Sequence, residues 1–333
     1  MAGLTRRQLV HAGAGLGLLA LPLAALPARA ASAPVRLGVL PFGTVQWEVE
    51  TMRRRGLDRA AGLDLRIVEL ASPQAGQVAL QGGAVDLIAS DWLWVARQRA
   101  SGAGLSFVPY SNAVGAVVVP AGSDIRDVRG LAGKRLGIAG GPVDKGWLLL
   151  KAYAAKAHGM DLDSQVTAVY GAPPLLSQQL EGGGVDAALT YWHYAARLEA
   201  KGMRQLVGIA DLMRQLGLET VVPTLGYVFR DEWAAAAPRA LAGFVDASRA
   251  AKEVLRADDS AWRDIAPLLA APDEATAMKL RDRFREGIVD RWGEAEKADA
   301  ARLFALLARL GGPALVGDAR EIPGGTFWPV AWG

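Results

Sequence analysis

Apolar runs alternate with amphipathic stretches along most of the chain after residue 34, and this alternation predicts strands connected by helices. Short apolar runs of the kind that form strands are followed by glycine-containing loops and then by stretches with helical periodicity. Strands that alternate with helices in this way are typical of βαβ units. The predicted elements form two sets, each a strand, a helix and a strand, at 36–39, 47–55 and 65–70 and again at 135–138, 147–158 and 166–170.

One copy of an internal repeat follows each of these sets. Residues 80–102 and 180–202 align without a gap, and ten of the 23 aligned positions are identical. A match of this length predicts an α/β fold of two similar βαβ lobes, with a ligand cleft between them. The identical pairs are Leu80/Leu180, Gly82/Gly182, Gly83/Gly183, Val85/Val185, Asp86/Asp186, Trp92/Trp192, Ala96/Ala196, Arg97/Arg197, Ala100/Ala200 and Gly102/Gly202.

A different pattern follows the second copy. An apolar, strand-like run covers 224–229, and the remaining chain is largely helical before an extended terminus. We therefore predict a helical C-terminal tail, with helices at 232–256, 261–269, 274–286 and 294–310.

The N-terminus has the organisation of an export signal. Two arginines at 6–7 precede an uncharged apolar run at 12–26, and Ala-Arg-Ala follows at 28–30. This is the order of a basic region, an apolar region and a cleavage site, and the run is shorter than the roughly 20 residues that span a bilayer. We predict cleavage after Ala30 and a periplasmic mature chain. Residues 5–10 also resemble the twin-arginine export motif, and the general export route is the alternative.

The amino-acid composition excludes several classes of protein. The 333 residues include no cysteine, which excludes disulfides, iron–sulfur clusters and thiol nucleophiles. Only His158 and His193 would remain after cleavage, too few for a metal site built from histidines. The formal charge is +3, but the signal holds three arginines and no acidic residue, so the mature chain would carry 34 basic and 34 acidic residues. A neutral mature chain gives no electrostatic reason to expect nucleic acid as a partner.

The chain lacks the common catalytic and cofactor motifs. The glycine-rich segments 130–135 and 137–141 do not have the spacing of phosphate-binding or dinucleotide-binding loops, and no G-x-S-x-G or H-E-x-x-H is present. We therefore predict no enzymatic activity, no cofactor and no metal. Asp86 and Asp186 follow the repeated Gly-Gly, and we interpret them as structural residues at the start of a strand.

Five loops at the predicted carboxyl ends of strands would face the cleft, at 43–47, 72–74, 90–92, 141–147 and 190–193. Ligands of open α/β sheets bind at such loops, where strands lead into helix N-termini. Hydroxyl groups and aromatic rings in these loops suit a flat ring or an organic cation, although packing in the core is an equal alternative for each repeated tryptophan. Because no loop contains an arginine, we expect a neutral or amine-bearing ligand. The candidate ligand-binding residues are Thr44, Gln46, Trp47, Ser90, Asp91, Trp92, Asp144, Lys145, Trp147, Thr190, Tyr191 and Trp192.

The order of these features resembles the periplasmic substrate-binding proteins of ABC importers. The resemblance rests on Val-Arg-Gly-Leu-Ala-Gly-Lys-Arg-Leu-Gly-Ile at 128–138 and on Leu-Glu-Gly-Gly-Gly-Val-Asp-Ala-Ala at 180–188, and it covers about 35–235. The chain looks most like the branch that binds nitrate, taurine, alkanesulfonates and thiamine-pyrimidine precursors. Its loop at 140–146 lacks the Ser/Thr-rich anion pattern of the sulfonate and nitrate binders, which argues against those ligands.

The resemblance implies a type II periplasmic binding-protein fold whose chain crosses twice between the lobes. The implied first lobe is 35–110 together with 225–333, and the implied second lobe is 111–224. Such a monomer would capture a small-molecule solute by closing its lobes and then dock on an ABC permease in the inner membrane. Two alternatives stay open, an exported enzyme using Asp91 and His193 as an acid/base pair, and a sensory partner of a membrane receptor.

Overall fold

The computed structural model describes residues 34–41, 43–330 and 332, which form two five-stranded sheets flanked by helices. The predicted export signal lies outside the described residues. The first sheet contains β1 (Val35–Val39), β2 (Leu65–Glu69), β3 (Leu87–Asp91), β4 (Leu105–Ser111) and β10 (Leu225–Arg230). The second contains β5 (Ala116–Val119), β6 (Arg135–Ala139), β7 (Thr167–Gly171), β8 (Ala187–Thr190) and β9 (Arg204–Gly208).

Both sheets are mixed. Their strand orders are β2-β1-β3-β10-β4 and β7-β6-β8-β5-β9, and in each one strand, β10 or β5, runs antiparallel to both of its neighbours. The chain enters these two strands after passing from the other sheet, so they are not joined to a neighbour by the crossover helix that parallel pairing requires. The passages lie between Ser111 and Ala116 and between Gly208 and Leu225. The sheets thus define two lobes, as predicted.

Helices cover both sheets, and the C-terminal region is helical as predicted. Pro238 occupies the first turn of a helix, where its missing amide costs nothing, so the predicted helix at 232–256 is divided in two. The helices are α1 (Val45–Arg54), α2 (Leu57–Ala60), α3 (Pro73–Gln81), α4 (Trp92–Ala100), α5 (Lys145–His158), α6 (Leu162–Gln165), α7 (Pro173–Glu181), α8 (Trp192–Ala200), α9 (Ile209–Gln215), α10 (Asp231–Ala236), α11 (Pro238–Ala257), α12 (Asp259–Asp264), α13 (Ala266–Leu269), α14 (Glu274–Glu286) and α15 (Glu294–Val316), the last with a break at Gly312.

The repeated aspartates bind the start of β1 in the first lobe and of β6 in the second. Asp86 accepts hydrogen bonds from the backbone amide, Nε and Nη2 of Arg36, at 2.8, 3.0 and 2.6 Å. Asp186 accepts the same three hydrogen bonds from Arg135, at 2.8, 3.2 and 2.8 Å. Each aspartate therefore joins the Gly-Gly turn to the start of a neighbouring strand, which is a structural role.

The extended C-terminus covers the free edge of the first sheet. The amide of Phe107 in β4 donates to the carbonyl of Thr326, and the amide of Trp328 donates to the carbonyl of Phe107, both at 2.9 Å. Further along, Trp292 and Trp332 exchange two backbone hydrogen bonds. The two bonds of Phe107 satisfy backbone groups of an edge strand that would otherwise be unpaired.

The largest apolar cluster extends across both lobes. It joins side chains of α4 in the first lobe and α5 in the second through Leu303, Phe304 and Leu307 of α15. The helix α14 packs on α8 of the second lobe. The C-terminal helices thus bridge the lobes. No helix within the described residues combines the length and the apolar character needed to cross a membrane.

Candidate functional site

The N-terminal turns of four helices meet between the two lobes. In the first lobe α1 and α4 follow β1 and β3, and in the second lobe α5 and α8 follow β6 and β8. The repeat relates α4 to α8, and the two predicted strand-helix-strand sets relate α1 to α5, so the arrangement is pseudo-symmetric. One contact joins α4 to α5, and another joins α1 to α8.

An ion pair joins the lobes where α4 meets α5. Nζ of Lys145 lies 3.4 Å from Oδ2 of Asp91, and the two side chains are 31% and 20% exposed. Asp91 also caps α4 by accepting a hydrogen bond from the amide of Trp94 at 2.9 Å. Asp144 caps α5 in the same way, with the amide of Trp147 at 3.1 Å. Three predicted site residues are thus brought together, and the two aspartates also have capping roles.

Burial and charge act together on the titratable groups at this contact. Burial raises the pKa of the Asp144 carboxyl, and the opposing attraction of Lys145 is the smaller effect. Burial also lowers the pKa of Lys145, but Asp91 and Asp144 together outweigh it, so the net pKa is raised. The pKa of Tyr191 is raised by burial and by Asp144. Lys145 is therefore protonated and Tyr191 neutral at pH 7.

An aromatic contact joins the lobes where α1 meets α8. The rings of Trp47 and Trp192 meet edge to face, with centroids 5.8 Å apart. Trp262 and Phe284 of the C-terminal helices pack on Trp47, each with a centroid distance of 5.9 Å. The indole of Trp47 also donates to the carbonyl of Leu268 at 3.1 Å. Trp47 is buried and Trp192 half-buried. The C-terminal helices therefore pack on this pair and cover much of it.

The structure places the other two candidate tryptophans in the core. Trp92 and Trp147 are completely buried in the apolar cluster that includes α15. The indole of Trp92 donates to the carbonyl of Pro223 at 3.0 Å, in the segment that returns to the first lobe. Neither ring presents a surface to a ligand in this arrangement.

The remaining predicted residues lie near the ends of strands and the starts of helices, and they differ in burial. Ser90 precedes the last residue of β3, Thr190 is the last residue of β8, and they are 8% and 2% exposed. Oγ1 of Thr190 is buried without a hydrogen-bond partner among the described residues. Tyr191 is 44% exposed at the start of α8. Thr44 and Gln46 are half-buried, and Nε2 of Gln46 donates to the carbonyl of Leu40. A buried hydroxyl without a partner costs about 1–3 kcal/mol, which a ligand can recover.

A buried ion pair that the sequence did not predict joins α1 and α11 in the first lobe. Nζ of Lys252 lies 2.5 Å from Oε2 of Glu48, whose side chain is completely buried. Tyr227 donates to Oε1 of Glu48 at 2.7 Å, and the ammonium lies 4.5 Å from the ring centroid of Tyr110. Glu48 is in the first turn of α1, so the pair fixes this helix relative to α11. The only sign of this ion pair in the sequence was a glutamate, Glu48, among apolar residues.

His193 is half-buried, and both of its ring nitrogens are shielded from solvent. Neither ring nitrogen has a partner among the described residues. Burial, followed by the nearby Arg197, lowers the pKa of His193 to about 4. The imidazole is therefore neutral at pH 7, and no hydrogen bond orients it as a base.

Two surface cavities lie away from the cleft. One of about 330 Å³ lies between α11 and the C-terminus, and one of about 210 Å³ lies between α7, α8 and the start of α14. Neither is lined by a predicted site residue. Within the described part of the chain, no group of three or more histidine, aspartate or glutamate side chains is placed to hold a metal ion.

This two-lobed topology, with helix N-termini converging on a polar cleft, is that of periplasmic binding proteins. The family model described as NMT1/THI5 like matches residues 53–261, and the chain belongs to this family. Comparison with curated protein sequences gives no match.

Solved structures show the same fold at low sequence identity. The alkanesulfonate-binding protein SsuA from Xanthomonas axonopodis pv. citri, bound to MOPS, is 22% identical, with 90% of this chain and 99% of that chain covered and a TM-score of 0.66. The periplasmic aliphatic sulphonate binding protein SsuA from Escherichia coli is 19% identical, with 87% and 98% covered and a TM-score of 0.68. The desulfurization enzyme DSZB is 16% identical, with 83% and 92% covered and a TM-score of 0.54.

Proposed function

We propose that the protein is a periplasmic solute-binding receptor that delivers a small organic nutrient to an ABC permease. The observation that carries the proposal is the convergence of four helix N-termini from two repeated lobes, with Asp91 and Lys145 in contact across the cleft. Convergent polar groups between two lobes are a common setting for small-molecule binding. Family membership and the fold of the SsuA proteins support the same function.

The proposal includes an order of events. The signal at 1–30 directs export and is removed, and the mature monomer binds its solute between a first lobe of 35–110 with 225–333 and a second lobe of 111–224. Closure brings α4 to α5 and α1 to α8, and the closed form docks on the permease. The passages between Ser111 and Ala116 and between Gly208 and Leu225 are the natural hinges, because only these segments connect the sheets.

The fold also includes an enzyme, DSZB, so an exported enzyme is the second candidate. Its proposed acid/base pair is weakly supported by the geometry. Asp91 forms an ion pair with Lys145 and accepts a hydrogen bond from the amide of Trp94. His193 has no hydrogen bond among the described residues that would orient it for proton transfer. Recovery of the bound solute chemically unchanged distinguishes a receptor from an enzyme.

The test is binding by the exported chain with Thr190→Val as the site variant. We expect native mass spectrometry of protein recovered from a periplasm to reveal one bound solute, and this solute to raise the melting temperature of the stripped protein. Thr190→Val keeps the shape of the side chain and removes the unpartnered hydroxyl, so it should weaken binding about tenfold or more without destabilising the free protein.

Thr167→Val is the matched control, because Thr167 is exposed at the start of β7. It should bind as the wild type does. A periplasmic chain that neither retains nor responds to any solute would contradict the receptor function.

A further inference from the structure

One stretch of the C-terminal region contacts both passages between the sheets. It comprises residues 287–299, from the residue after α14 to the second turn of α15, and we call it the strut. Its start lies against the first passage, between Ser111 and Ala116, and its end lies against the second, between Gly208 and Leu225. A single stretch therefore contacts both places at which the chain crosses between the lobes.

The strut is anchored in the first lobe. Trp292 is completely buried in the apolar cluster that includes side chains of β1 and β10. Its ring meets that of Phe327 edge to face, with centroids 4.9 Å apart, and its backbone exchanges two hydrogen bonds with Trp332, at 3.0 and 3.2 Å. Withdrawing the strut would expose this indole to water, which is unfavourable, so the strut moves with the first lobe.

The start of the strut holds the first passage. The amide of Asn112 donates to the carbonyl of Gly287 at 2.8 Å, and the hydroxyl of Ser111 donates to the same carbonyl at 3.3 Å. Carbonyls at the end of a helix have no partner within the helix, so the passage supplies donors that α14 needs. The approach is close, because a Cβ atom on Gly287 would lie 2.5 Å from Cβ of Ala113. The first passage is therefore fixed to the first lobe as far as Asn112.

The end of the strut holds the second passage. Oδ2 of Asp299 accepts from the amides of Glu219 and Thr220, at 2.9 and 2.6 Å, and from the hydroxyl of Thr220 at 2.8 Å. The aspartate is 1% exposed, so water does not compete for these bonds. The indole of Trp92 in α4 donates to the carbonyl of Pro223 at 3.0 Å. The second passage is therefore fixed to the first lobe from Glu219 onwards.

The second lobe holds the other ends of the same passages. Gly115 lies against the carbonyl of Thr190 in β8, and the amide of Leu218 donates to a carbonyl of α9 at 3.1 Å. The shortest stretches between the residues held by one lobe and those held by the other are 113–114 and 218–219. Hinge closure requires rotation of the backbone at a few such residues.

We propose that the strut restricts bending between the lobes to 113–114 and 218–219, with Asp299 as the residue that positions the second passage. Because both passages are attached to one rigid stretch, neither can bend independently, and the lobes follow one path between open and closed arrangements. The proposal rests on the proposed receptor function, which requires closure around a solute. A restricted hinge lowers the conformational entropy that is lost on closing.

The experiment measures the distance between the lobes in the full chain without solute. The sequence has no cysteine, so two introduced cysteines can carry the only spin labels. Val78→Cys in α3 and Leu175→Cys in α7 place one label on each lobe, at side chains that are 69% and 50% exposed. Pulsed electron paramagnetic resonance then gives the distribution of distances.

Asp299→Ala removes the acceptor that holds the second passage. We expect a broader distribution of interlobe distances than in the wild type, and hydrogen exchange about tenfold or more faster at the amides of Glu219 and Thr220. Thr220→Val removes only the hydroxyl bond and keeps the shape of the side chain, so it should fold as the wild type does and broaden the distribution less.

Asp127→Ala is the matched control. Asp127 accepts from two backbone amides and from an arginine side chain, as Asp299 does, but it lies outside both passages. Leu162→Ala, at a buried position of α6, lowers stability by leaving a cavity. Both variants should keep the wild-type distribution, which separates the effect of Asp299 from a general loss of stability.

A wild-type distribution in folded Asp299→Ala and Thr220→Val would overturn the proposal and leave the receptor function intact. Equal broadening in the two controls would also overturn it. A protein that binds no solute would contradict the receptor function without affecting these measurements, because they are made in the absence of solute.

Discussion

The surroundings of a single side chain decide its protonation state, as they do for His193. His193 lies beside Trp192, Tyr194 and Arg197, and both of its buried ring nitrogens lack partners among the described residues. A histidine in such a place is neutral in the folded chain, because the charged form would lose its hydration. Its protonation therefore opposes folding.

His193 should make the protein less stable in acid. Its pKa is lowered from 6.5 to about 4 in the folded chain, so between these values the unfolded chain binds a proton that the folded chain does not. Stability is lost as the pH falls through this window, by up to about 3 kcal/mol. Urea unfolding at pH 7 and pH 4.5 should show a smaller loss for His193→Phe than for the wild type. Equal losses would contradict the buried neutral histidine.

At the scale of elements, the C-terminal helices bind the lobes together. Phe284 of α14 contacts Trp47 from the first lobe and Trp192 from the second, with centroid distances of 5.9 and 6.3 Å. Beside it, Nη2 of Arg283 donates to both carboxylate oxygens of Glu199 in α8, at 2.9 and 2.8 Å. The tail is therefore part of the interlobe contact.

Phe284→Ala tests this role of the tail. The side chain is 6% exposed, so its loss should leave a cavity among three tryptophans and lower the free energy of unfolding by about 3–5 kcal/mol. Met278→Ala on the same helix is the control, since Met278 is 43% exposed and should change stability by about 0.5 kcal/mol or less. Urea denaturation measures both, and equal effects would rule out the packing role.

At the scale of the whole molecule, the first passage between the sheets lies in close backbone contact with the second sheet. Gly115, in the first passage between the sheets, lies so near β8 that a Cβ atom there would be 2.1 Å from the carbonyl oxygen of Thr190. A backbone oxygen cannot rotate away as a side chain can. Any residue larger than glycine would therefore push the end of β8, and with it the start of α8, out of place.

Gly115→Ala should thus lower the free energy of unfolding by about 2 kcal/mol or more. Gly122→Ala is the matched control, since no atom lies within 4 Å of a Cβ at that exposed turn. Thermal and urea unfolding should separate the two variants clearly. A stable Gly115→Ala protein would mean that the passage can shift freely.

Much of the architecture could be predicted from local pattern. Two lobes follow from the repeat, and α14 begins and ends at the predicted residues 274 and 286. The structural role of Asp86 and Asp186 is visible in the three hydrogen bonds that each accepts. These features depend on periodicity and on turns, which are encoded over a few neighbouring residues.

The site depended on contacts between distant parts of the chain. The loops that follow strands, and the residues in them, could be read from the order of amino acids. The burial of Trp92 and Trp147 under α15 and the contact of Asp91 with Lys145 could not. Burial and ion pairing depend on which surfaces the fold brings together, and α15, which covers these tryptophans, is near the C-terminal end of the sequence.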